Sequence, residues 1–334
     1  MAETLDGILD LSHRLSSEFL WTGKIESILW NGAFGSIVKL SDEIANQIEP
    51  TFLPKVVKVM IKLGHNKENP KMGTNLDDFK SEVSALKILS NRDTQEPRIL
   101  NKDYDFSPMY CGWAEDSDHY FIVMEFIPGE TLCNYITSSD PLTLSIKEFN
   151  RLSCGEGTTK LSDCIKDRFS LDQICYNLGI RMLSIVKTIY SLGIVHRDIK
   201  PENIIVQEKP DSSIRVIFLD WGASCSKAFE GMRKCNVKIG TYFYMSPELV
   251  RDNLSFPLAS DYWSVGASLY FCITGEVIFS SEGFNLAAKS EYLQTIINYS
   301  DTDMSISDFP LTSQILNATL VRDQISRRSQ VSRK

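Results

Sequence analysis

Hydrophobic residues in the first third of the chain mostly alternate with polar residues or form short β-branched runs. The runs SIVKL, KVVKVMI and YFIVMEF, within residues 21–127, are typical of half-buried β-strands. Residues 77–89 differ, because their apolar side chains recur at helical spacing. The pattern therefore predicts a small, strand-rich unit interrupted by a helix.

The pattern changes after the dipeptide Pro128-Gly129, which is typical of a turn. Residues 171–192 place apolar side chains at helical spacing, which predicts a long buried helix. A short strand-rich segment follows, and the remaining sequence favours helices. Residues 137–170 are rich in Ser, Thr, Asp and Lys, and we interpret them as a surface insertion. The sequence thus predicts an α+β fold with an N-terminal extension (residues 1–20), a β-rich lobe (21–127) and a larger helical lobe (128–334).

Composition narrows the class of protein without identifying it. Hydrophobic residues make up 43% of the 334 positions and charged residues 23%, as in ordinary soluble globular proteins. The net charge of -8 argues against a general nucleic-acid binder, which presents a basic surface. The N-terminal sequence MAETLDGILDLSHRL is interrupted by charges, unlike a signal peptide, and no run of about twenty apolar residues predicts a membrane span. We expect a cytoplasmic or nuclear protein.

The eight cysteines include no C-x-x-C pair and no compact Cys/His cluster. This spacing indicates neither a zinc site nor a disulfide framework. We therefore expect reduced thiols throughout the chain. Cys225 and Cys235 lie close together in one loop, where redox sensitivity is the alternative to a pair of idle thiols.

The most informative motif is HRDIKPEN, residues 196–203. Phosphoryl transfer needs a carboxylate that orients the attacking hydroxyl, a cation that offsets charge on the phosphoryl oxygens, and a metal ligand. Asp198, Lys200 and Asn203 supply these groups within one short loop. The alternative for the three residues is a capped turn without chemistry.

A second motif, IFLDWG, places Asp220 at the end of an apolar strand, and Gly222 permits the turn that follows. A carboxylate at this position is suited to a magnesium ion that bridges phosphates. Together the two motifs resemble those of the eukaryotic-type protein kinase superfamily, whose fold is bilobal. The other family elements occur in the expected order over about residues 20–330.

The segment NGAFGSI, residues 31–37, resembles the glycine-rich loop of that family. Gly32 and Gly35 occupy its second and third glycine places, whereas Trp30 stands at the first. A plain turn is the alternative for these two glycines. The resemblance further implies that Ile37 contacts the nucleotide.

The strand KVVKVMI resembles V-A-I-K, and Lys58 is the best match for the lysine that holds the phosphates. Lys55 and Lys62 are alternatives on the same strand. Glu82 matches the helix glutamate that pairs with this lysine, although a solvated helix acid is the alternative. The resemblance also implies that Glu125 and Ile127 contact the nucleotide at the hinge, where Ile127 is an equally good core residue.

Three further segments resemble parts of the larger kinase lobe. GTYFYMSPE, residues 240–248, resembles the substrate-binding segment G-T-x-x-Y-x-A-P-E, with Ser246 in place of alanine. DYWSVG, residues 261–266, resembles a helix that braces the HRDIKPEN loop. DQISR, residues 323–327, resembles D-P-x-x-R and implies that Arg327 pairs with Glu248.

The resemblance implies a serine/threonine protein kinase that uses ATP and Mg²⁺, with Asn203 and Asp220 as metal ligands. The alternatives are a pseudokinase scaffold and a small-molecule kinase, and the subfamily resemblance, to phosphoinositide-dependent protein kinases, is faint. Its partners would be protein substrates. Glu130 and Glu202 match places where basophilic kinases of the family bind upstream basic residues, and two solvated surface acids are the alternative. Residues 227–240 contain no Ser, Thr or Tyr, so we expect activation to use a regulatory partner or an internal anion such as Glu230. Phosphorylation of Ser224 or Ser226 is the alternative.

Overall fold

The structure is a computed structural model, and it describes the part of the chain where the placement of residues is defined. The described residues are 25–32, 35–40, 55–66, 71, 73–90, 105–129, 131–132, 161–208, 214–226, 232, 235, 239–251, 257–279, 289–301 and 303–331. The chain divides into two units, the first ending at Pro128 and the second beginning at Gly129. The predicted extension over residues 1–20 lies outside the described residues.

The first unit contains a five-stranded antiparallel sheet with the strand order β1-β2-β3-β5-β4. The strands are β1 (Ile25–Gly32), β2 (Gly35–Leu40), β3 (Lys55–Ile61), β4 (Tyr110–Glu115) and β5 (His119–Glu125). The three runs with strand periodicity form β2, β3 and β5, as predicted. Their inward side chains build a core from Leu40, Val57, Ala114, Phe121 and Val123.

Helix α1 (Leu76–Ser90) interrupts the strands of this unit. The side chain of Asn75 accepts a hydrogen bond from Asp78 N at 2.8 Å, which satisfies a backbone donor in the first turn. Acidic residues in the first turn and Lys87 in the last turn complement the helix dipole. The ring of Phe79 stacks on Tyr120 of β5 at 4.4 Å. The contact between Phe79 and Tyr120 orients the helix so that the face carrying Glu82 packs against the sheet.

The second unit is mainly helical, as predicted. Its helices are α2 (Leu161–Ser191), α3 (Pro247–Val250), α4 (Pro257–Thr274), α5 (Lys289–Asn298), α6 (Pro310–Thr319) and α7 (Gln324–Val331). Its short strands are β6 (Ile194–Val195), β7 (Ile204–Glu208), β8 (Ile214–Phe218) and β9 (Cys225–Ser226), which pair as β6–β9 and β7–β8.

Packing between the helices is reinforced by buried polar contacts. The carboxylate of Asp172, on α2, accepts hydrogen bonds from the backbone nitrogens of Leu311 and Thr312, both at 2.8 Å. It thereby caps the first turn of α6 from another helix, because those nitrogens have no partner within α6 itself. This contact attaches α6 firmly to α2.

Helix α2 begins at Leu161, ten residues before the predicted start, so its first turns fall within residues 137–170, the segment interpreted as a surface insertion. The sequence contains a signal for this extension, since Leu161, Ile165 and Phe169 recur at four-residue spacing. Residues 137–160 lie outside the described residues. None of the helices that the structure describes is long and apolar enough to cross a membrane.

Candidate active site

Lys58 and Glu82, predicted from separate motifs, form an ion pair in the first unit. Lys58 Nζ lies 2.7 Å from Glu82 Oε1 and 2.9 Å from Oε2, so the contact is bidentate. Glu82 is buried, whereas Lys58 keeps about a fifth of its side chain exposed. Lys62 instead binds Glu115 at 2.7 Å, and Lys55 is fully buried. Of these three lysines, Lys58 is thus the one whose ammonium group is held by Glu82.

The β1–β2 hairpin carries the two candidate loop glycines, which face each other in the strand register. Gly35 has a φ of 146°, a conformation that side chains with a Cβ rarely adopt. An ideal Cβ at this position would lie 1.9 Å from Val59 O of β3, so only glycine fits there. The residues between Gly32 and Gly35 lie outside the described part of the chain.

Three residues predicted to contact the nucleotide lie on or after the strands of the same sheet. Ile37 of β2 is directly opposite Lys58 of β3 in the register. Glu125 ends β5, and its Oε2 accepts a hydrogen bond from Met109 N at 3.1 Å. Ile127 is buried. Their positions agree with either alternative, nucleotide contact or core packing.

In the second unit, the HRDIKPEN loop follows strand β6, and the side chain of Asp261 on α4 holds the backbone at the start of the loop. The two carboxylate oxygens of Asp261 accept hydrogen bonds from His196 N and Arg197 N, each at 2.8 Å. Burial raises the pKa of Asp261 to about 6, so this side chain is ionised at neutral pH. Arg197 has a φ of 67°, a strained conformation for a residue with a side chain, and the clamp from Asp261 helps to maintain it.

The side chains of His196 and Arg197 stabilise the loop through hydrogen bonds to backbone groups. Burial lowers the pKa of His196, which favours the neutral imidazole. Its Nε2–H donates to Leu219 O at 3.1 Å, while Nδ1 accepts from Asp198 N at 3.3 Å, so the two contacts define a single tautomer. Arg197 Nε donates to Ala223 O at 2.8 Å. Burial lowers the pKa of Arg197 to about 10, and the guanidinium stays charged.

The carboxylate of Asp198 is the centre of a hydrogen-bond network that joins the loop to Thr241. Its Oδ1 accepts from Thr241 N at 2.8 Å and from Thr241 Oγ1 at 2.7 Å. Its Oδ2 lies 3.0 Å from Lys200 Nζ and 3.1 Å from Asn203 Nδ2. Lys200 Nζ also donates to Thr241 Oγ1 at 2.8 Å. The structure therefore brings together Asp198, Lys200 and Asn203, as the sequence predicts, and adds a hydroxyl group to them.

Asp220 follows strand β8 and begins a short turn. It has a φ of 55°, and its side chain accepts a hydrogen bond from Gly222 N at 3.4 Å. The next residue, Trp221, is buried, packs on His196 with ring centroids 4.5 Å apart and donates its indole N–H to Phe218 O. Asp220 itself is exposed. The turn thus buries the aromatic ring and presents the carboxylate to solvent.

The end of the GTYFYMSPE segment is anchored by a buried ion pair. Arg327 Nη1 lies 2.5 Å from Glu248 Oε1, and Nη2 lies 3.3 Å from Oε2. Arg327 therefore pairs with Glu248 although glutamine replaces the proline of the family pattern. Ser246, which replaces alanine, shares a 2.8 Å hydrogen bond with Ser260, which in turn donates to Glu248. The added hydroxyl is consequently buried with a partner.

Thr241 and Asp261 are absent from the site residues that the sequence predicts, although both lie in recognised motifs. Their motif positions indicated a substrate segment and a bracing helix, but not the atoms that they contact. A hydrogen bond between residues more than forty positions apart leaves no mark in the local pattern. Only the tertiary structure shows that both hold the same loop.

The expectation of reduced thiols is wrong for one pair of cysteines. Cys225 and Cys235 form a disulfide, with Cα atoms 5.2 Å apart. The pairing arises because β9 places Cys225 opposite Val195 of β6, and the chain returns to the same place at Cys235. Among the described residues, Cys111, Cys175 and Cys272 are not part of a disulfide.

Comparison with known proteins agrees with this geometry. The sequence profile of the protein kinase domain family matches residues 58–332, which is most of the chain. The chain therefore belongs to the protein kinase family, and its two units correspond to the α+β, bilobal fold of that family.

Similar curated proteins are serine/threonine-protein kinases. RAD53 of Saccharomyces cerevisiae is 23% identical over 77% of this chain and 26% of its own length. Calcium-dependent protein kinase 4 of Plasmodium falciparum is 25% identical over 79% of this chain and 40% of its own length. AtPK1/AtPK6 of Arabidopsis thaliana is 37% identical over 35% of this chain and 22% of its own length. The chain thus spans less than half the length of these relatives.

Proposed function

We propose that this chain is an active serine/threonine protein kinase that transfers the γ-phosphoryl group of Mg·ATP to a protein hydroxyl. The observation that carries the proposal is the environment of Asp198. Its carboxylate accepts a hydrogen bond from the hydroxyl of Thr241 and lies 3.0 Å from the ammonium of Lys200. A carboxylate in this setting can orient an acceptor hydroxyl, while the adjacent cation offsets charge on the transferring group.

The available oxygen ligands fit a magnesium ion shared with a nucleotide. Mg²⁺ commonly takes one or two protein oxygens and completes its shell with phosphates and water. Asp220 offers an exposed carboxylate, and Asn203 uses its amide nitrogen on Asp198, which leaves its amide oxygen for a cation. Mg·ATP, when bound, supplies the phosphoryl group that is transferred. The residues of the chain bind it, orient the acceptor and offset charge.

In the first unit, Lys58 is the candidate ligand of the nucleotide phosphates. Glu82 holds its ammonium group in place, because both carboxylate oxygens lie within 2.9 Å of Nζ. The β1–β2 hairpin with Gly32 and Gly35 would cover the phosphates with backbone N–H groups. Ile37, Glu125 and Ile127 are the candidate contacts for the base. These roles follow from the family resemblance and fit the observed positions.

The preference for serine and threonine is supported by Lys200 and Thr241, which contact each other at 2.8 Å beside Asp198. The family resemblance associates this pair with serine/threonine specificity. Two of the curated relatives named above, RAD53 and AtPK1/AtPK6, carry serine/threonine specificity in their names. Their other domains and physiological substrates are not transferred to this chain.

The proposal is tested by measuring phosphoryl transfer from radiolabelled ATP to a degenerate peptide library. Asp198→Asn should abolish transfer and leave ATP binding nearly unchanged, since the acceptor loses its orienting carboxylate. Asp220→Asn should lower transfer and also weaken Mg²⁺-dependent ATP binding. Asp308→Asn, which changes an exposed carboxylate outside the site, is the matched control and should behave as wild type.

The competing function is a pseudokinase that binds nucleotide or partners without transfer. A wild-type protein that binds Mg·ATP but phosphorylates no peptide or protein in a broad library would establish that alternative. The presence of Lys58, Asp198 and Asp220 favours the active enzyme, because a scaffold has no need for all three charges.

We also propose that the enzyme prefers substrates with Arg or Lys a few residues before the target hydroxyl. Glu202 is exposed within the HRDIKPEN loop, where a guanidinium can bind its carboxylate. Glu130, the second candidate acid, lies outside the described residues. A library profile that shows no basic preference, or one that is unchanged by Glu202→Gln with Glu130→Gln, would contradict this preference.

A further inference from the structure

The disulfide between Cys225 and Cys235 lies beside the HRDIKPEN loop, and the chemistry proposed above makes no use of it. Both cysteines are buried and form an apolar cluster with Val195. Val195 pairs with Cys225 in the β6–β9 register and directly precedes His196. The bond therefore packs against the strand that leads into the loop.

Both ends of the segment between residues 223 and 241 are attached to that same loop. At the first end, Ala223 O accepts a hydrogen bond from Arg197 Nε at 2.8 Å. At the second end, an ideal Cβ on Gly240 would lie 2.5 Å from Arg197 O, and Thr241 N donates to Asp198 at 2.8 Å. The disulfide links β9, next to the first attachment, to Cys235, shortly before the second. It thus restrains the part of the segment that delivers Thr241 to Asp198.

The composition of the segment favours regulation through its cysteines. Residues 227–240, KAFEGMRKCNVKIG, contain no Ser, Thr or Tyr that could accept a phosphate. Cys235 is the member of this stretch that undergoes reversible covalent chemistry under mild conditions. Its partner, Cys225, is already in bonding position.

We propose that Cys225 and Cys235 form a reversible redox modification site, oxidised by a peroxide and reduced by a dithiol, whose disulfide state supports phosphorylation of protein substrates. This proposal rests on the proposed kinase activity. The disulfide acts as a covalent clamp that holds Cys235 beside strand β6, which leads into the HRDIKPEN loop, in a stretch (residues 227–240) without a phosphate-accepting hydroxyl.

Hydrogen peroxide is the oxidant that forms the disulfide, and a dithiol is the reductant that opens it. One cysteine thiolate attacks hydrogen peroxide, so that a sulfenic acid forms and the first water leaves after proton transfer. The second thiolate attacks the sulfenic sulfur, the S–S bond forms as the S–O bond breaks, and the second water leaves. In the reverse direction a dithiol is oxidised to its cyclic disulfide, and both cysteines regain their protons. Because both sulfurs are buried, each conversion requires local opening of the segment and is slow.

Reduction removes the covalent link between Cys225 and Cys235, and we expect Thr241 then to spend less time on Asp198. We expect kcat/KM for a peptide substrate to fall about fivefold, because positioning of the acceptor side of the site is lost. The KM for ATP should change less than kcat/KM for the peptide, since the Lys58–Glu82 pair belongs to the other unit, while Asn203 and Asp220 belong to this one. Amide hydrogen exchange at Thr241 should become about tenfold faster, because local opening becomes easier.

The test uses the full chain, treated with peroxide or with dithiothreitol, with the state of the cysteines read by alkylation and mass spectrometry. Peptide kinetics and hydrogen exchange are measured on both forms. The Cys235→Ala variant should show the reduced values under both treatments. The Cys272→Ala variant, which removes a cysteine of the same unit that is not part of a disulfide, should respond to both treatments as wild type does.

The possible outcomes separate this proposal from the proposed function. Equal peptide kinetics in the two forms of an active enzyme overturn the clamp, and so does the recovery of two free thiols after peroxide treatment. If neither form transfers phosphate, the proposed function fails. In that case faster exchange at Thr241 upon reduction still supports the clamp, and unchanged exchange overturns it.

Discussion

Removal of one partner of the ion pair between Arg327 and Glu248 is expected to destabilise the second unit more than loss of the other single polar contacts described above. The guanidinium is fully buried and contacts both oxygens of Glu248, which is 4% exposed. It also donates to Ala259 O at 2.7 Å and to Val321 O, and it lies 5.1 Å from the ring of Trp263. We predict that Arg327→Met strongly destabilises the folded state.

The magnitude follows from the groups that the substitution leaves behind. Arg327→Met leaves the buried carboxylate of Glu248 without its cation, a loss that typically costs about 3–5 kcal/mol. Three backbone carbonyls, those of Ala259, Val321 and Arg322, also lose donors, although part of this cost is already contained in that range. A loss of about 4 kcal/mol is a large share of the total of about 5–15 kcal/mol that stabilises a folded domain.

The assay is urea unfolding followed by tryptophan fluorescence and circular dichroism, on wild type, Arg327→Met, Glu248→Gln and the double variant. Because Glu248→Gln removes the uncompensated charge, the double variant should be less destabilised than the sum of the single variants by about 2 kcal/mol or more. Arg322→Met removes an exposed arginine near Arg327 and should change stability by less than about 0.5 kcal/mol. An Arg327→Met loss below about 1 kcal/mol, or additive single effects, would refute the reasoning.

Three further substitutions test other contacts. Trp221→Phe removes the indole N–H that donates to Phe218 O, and it should lower the free energy of unfolding by about 1 kcal/mol in urea titrations. Gly240→Ala forces a Cβ against Arg197 O at a φ of 125°, and it should reduce kcat for a peptide at least about tenfold, measured by radiolabel transfer. Burial raises the pKa of the Asp261 carboxyl from 3.8 to about 6. The folded chain therefore binds a proton at Asp261 more tightly than the unfolded chain does. As a result, the contribution of Asp261 to the free energy of unfolding declines as pH rises from about 4 to about 6. The stability advantage of wild type over Asp261→Asn should therefore shrink by about 2–3 kcal/mol between about pH 4 and pH 7 in urea unfolding.

Each of these expectations has a result that would contradict it. An unchanged urea midpoint for Trp221→Phe would mean that the indole hydrogen bond contributes nothing beyond the packing of the ring. Wild-type kcat in Gly240→Ala would show that the loop tolerates a displaced Arg197 carbonyl. A stability difference between wild type and Asp261→Asn that is constant with pH would mean that Asp261 titrates alike in the folded and unfolded chains.

The sequence by itself determined those features that depend on residues close together in the chain. Strands β2, β3 and β5 and helix α1 follow from local periodicity, because the two periods of 2 and 3.6 residues distinguish strand from helix. The grouping of Asp198, Lys200 and Asn203 was predictable because one short loop carries all three. The family resemblance then supplied the pairing of Lys58 with Glu82 and of Glu248 with Arg327, although each pair is distant in sequence.

The local apolar pattern did not predict a helix where its signal was short and lay within a polar stretch. The first ten residues of α2 have a helical apolar period, but they lie in a polar stretch, and their helix was therefore missed. The start of a helix is often decided by its packing on the rest of the fold, which adds stability that propensity alone lacks.

Only the tertiary structure decided which distant groups share the environment of Asp198. Thr241 and Asp261 reach the HRDIKPEN loop from segments more than forty positions away, and the sequence carries no record of their distances from it. The disulfide is the clearest case, because spacing gave no reason to pair Cys225 with Cys235. Strand pairing between β6 and β9 brings the first cysteine next to Val195, and the returning chain brings the second to the same cluster. Pairing depends on the separation of Cα atoms in space, here 5.2 Å, and the folded chain alone determines that separation.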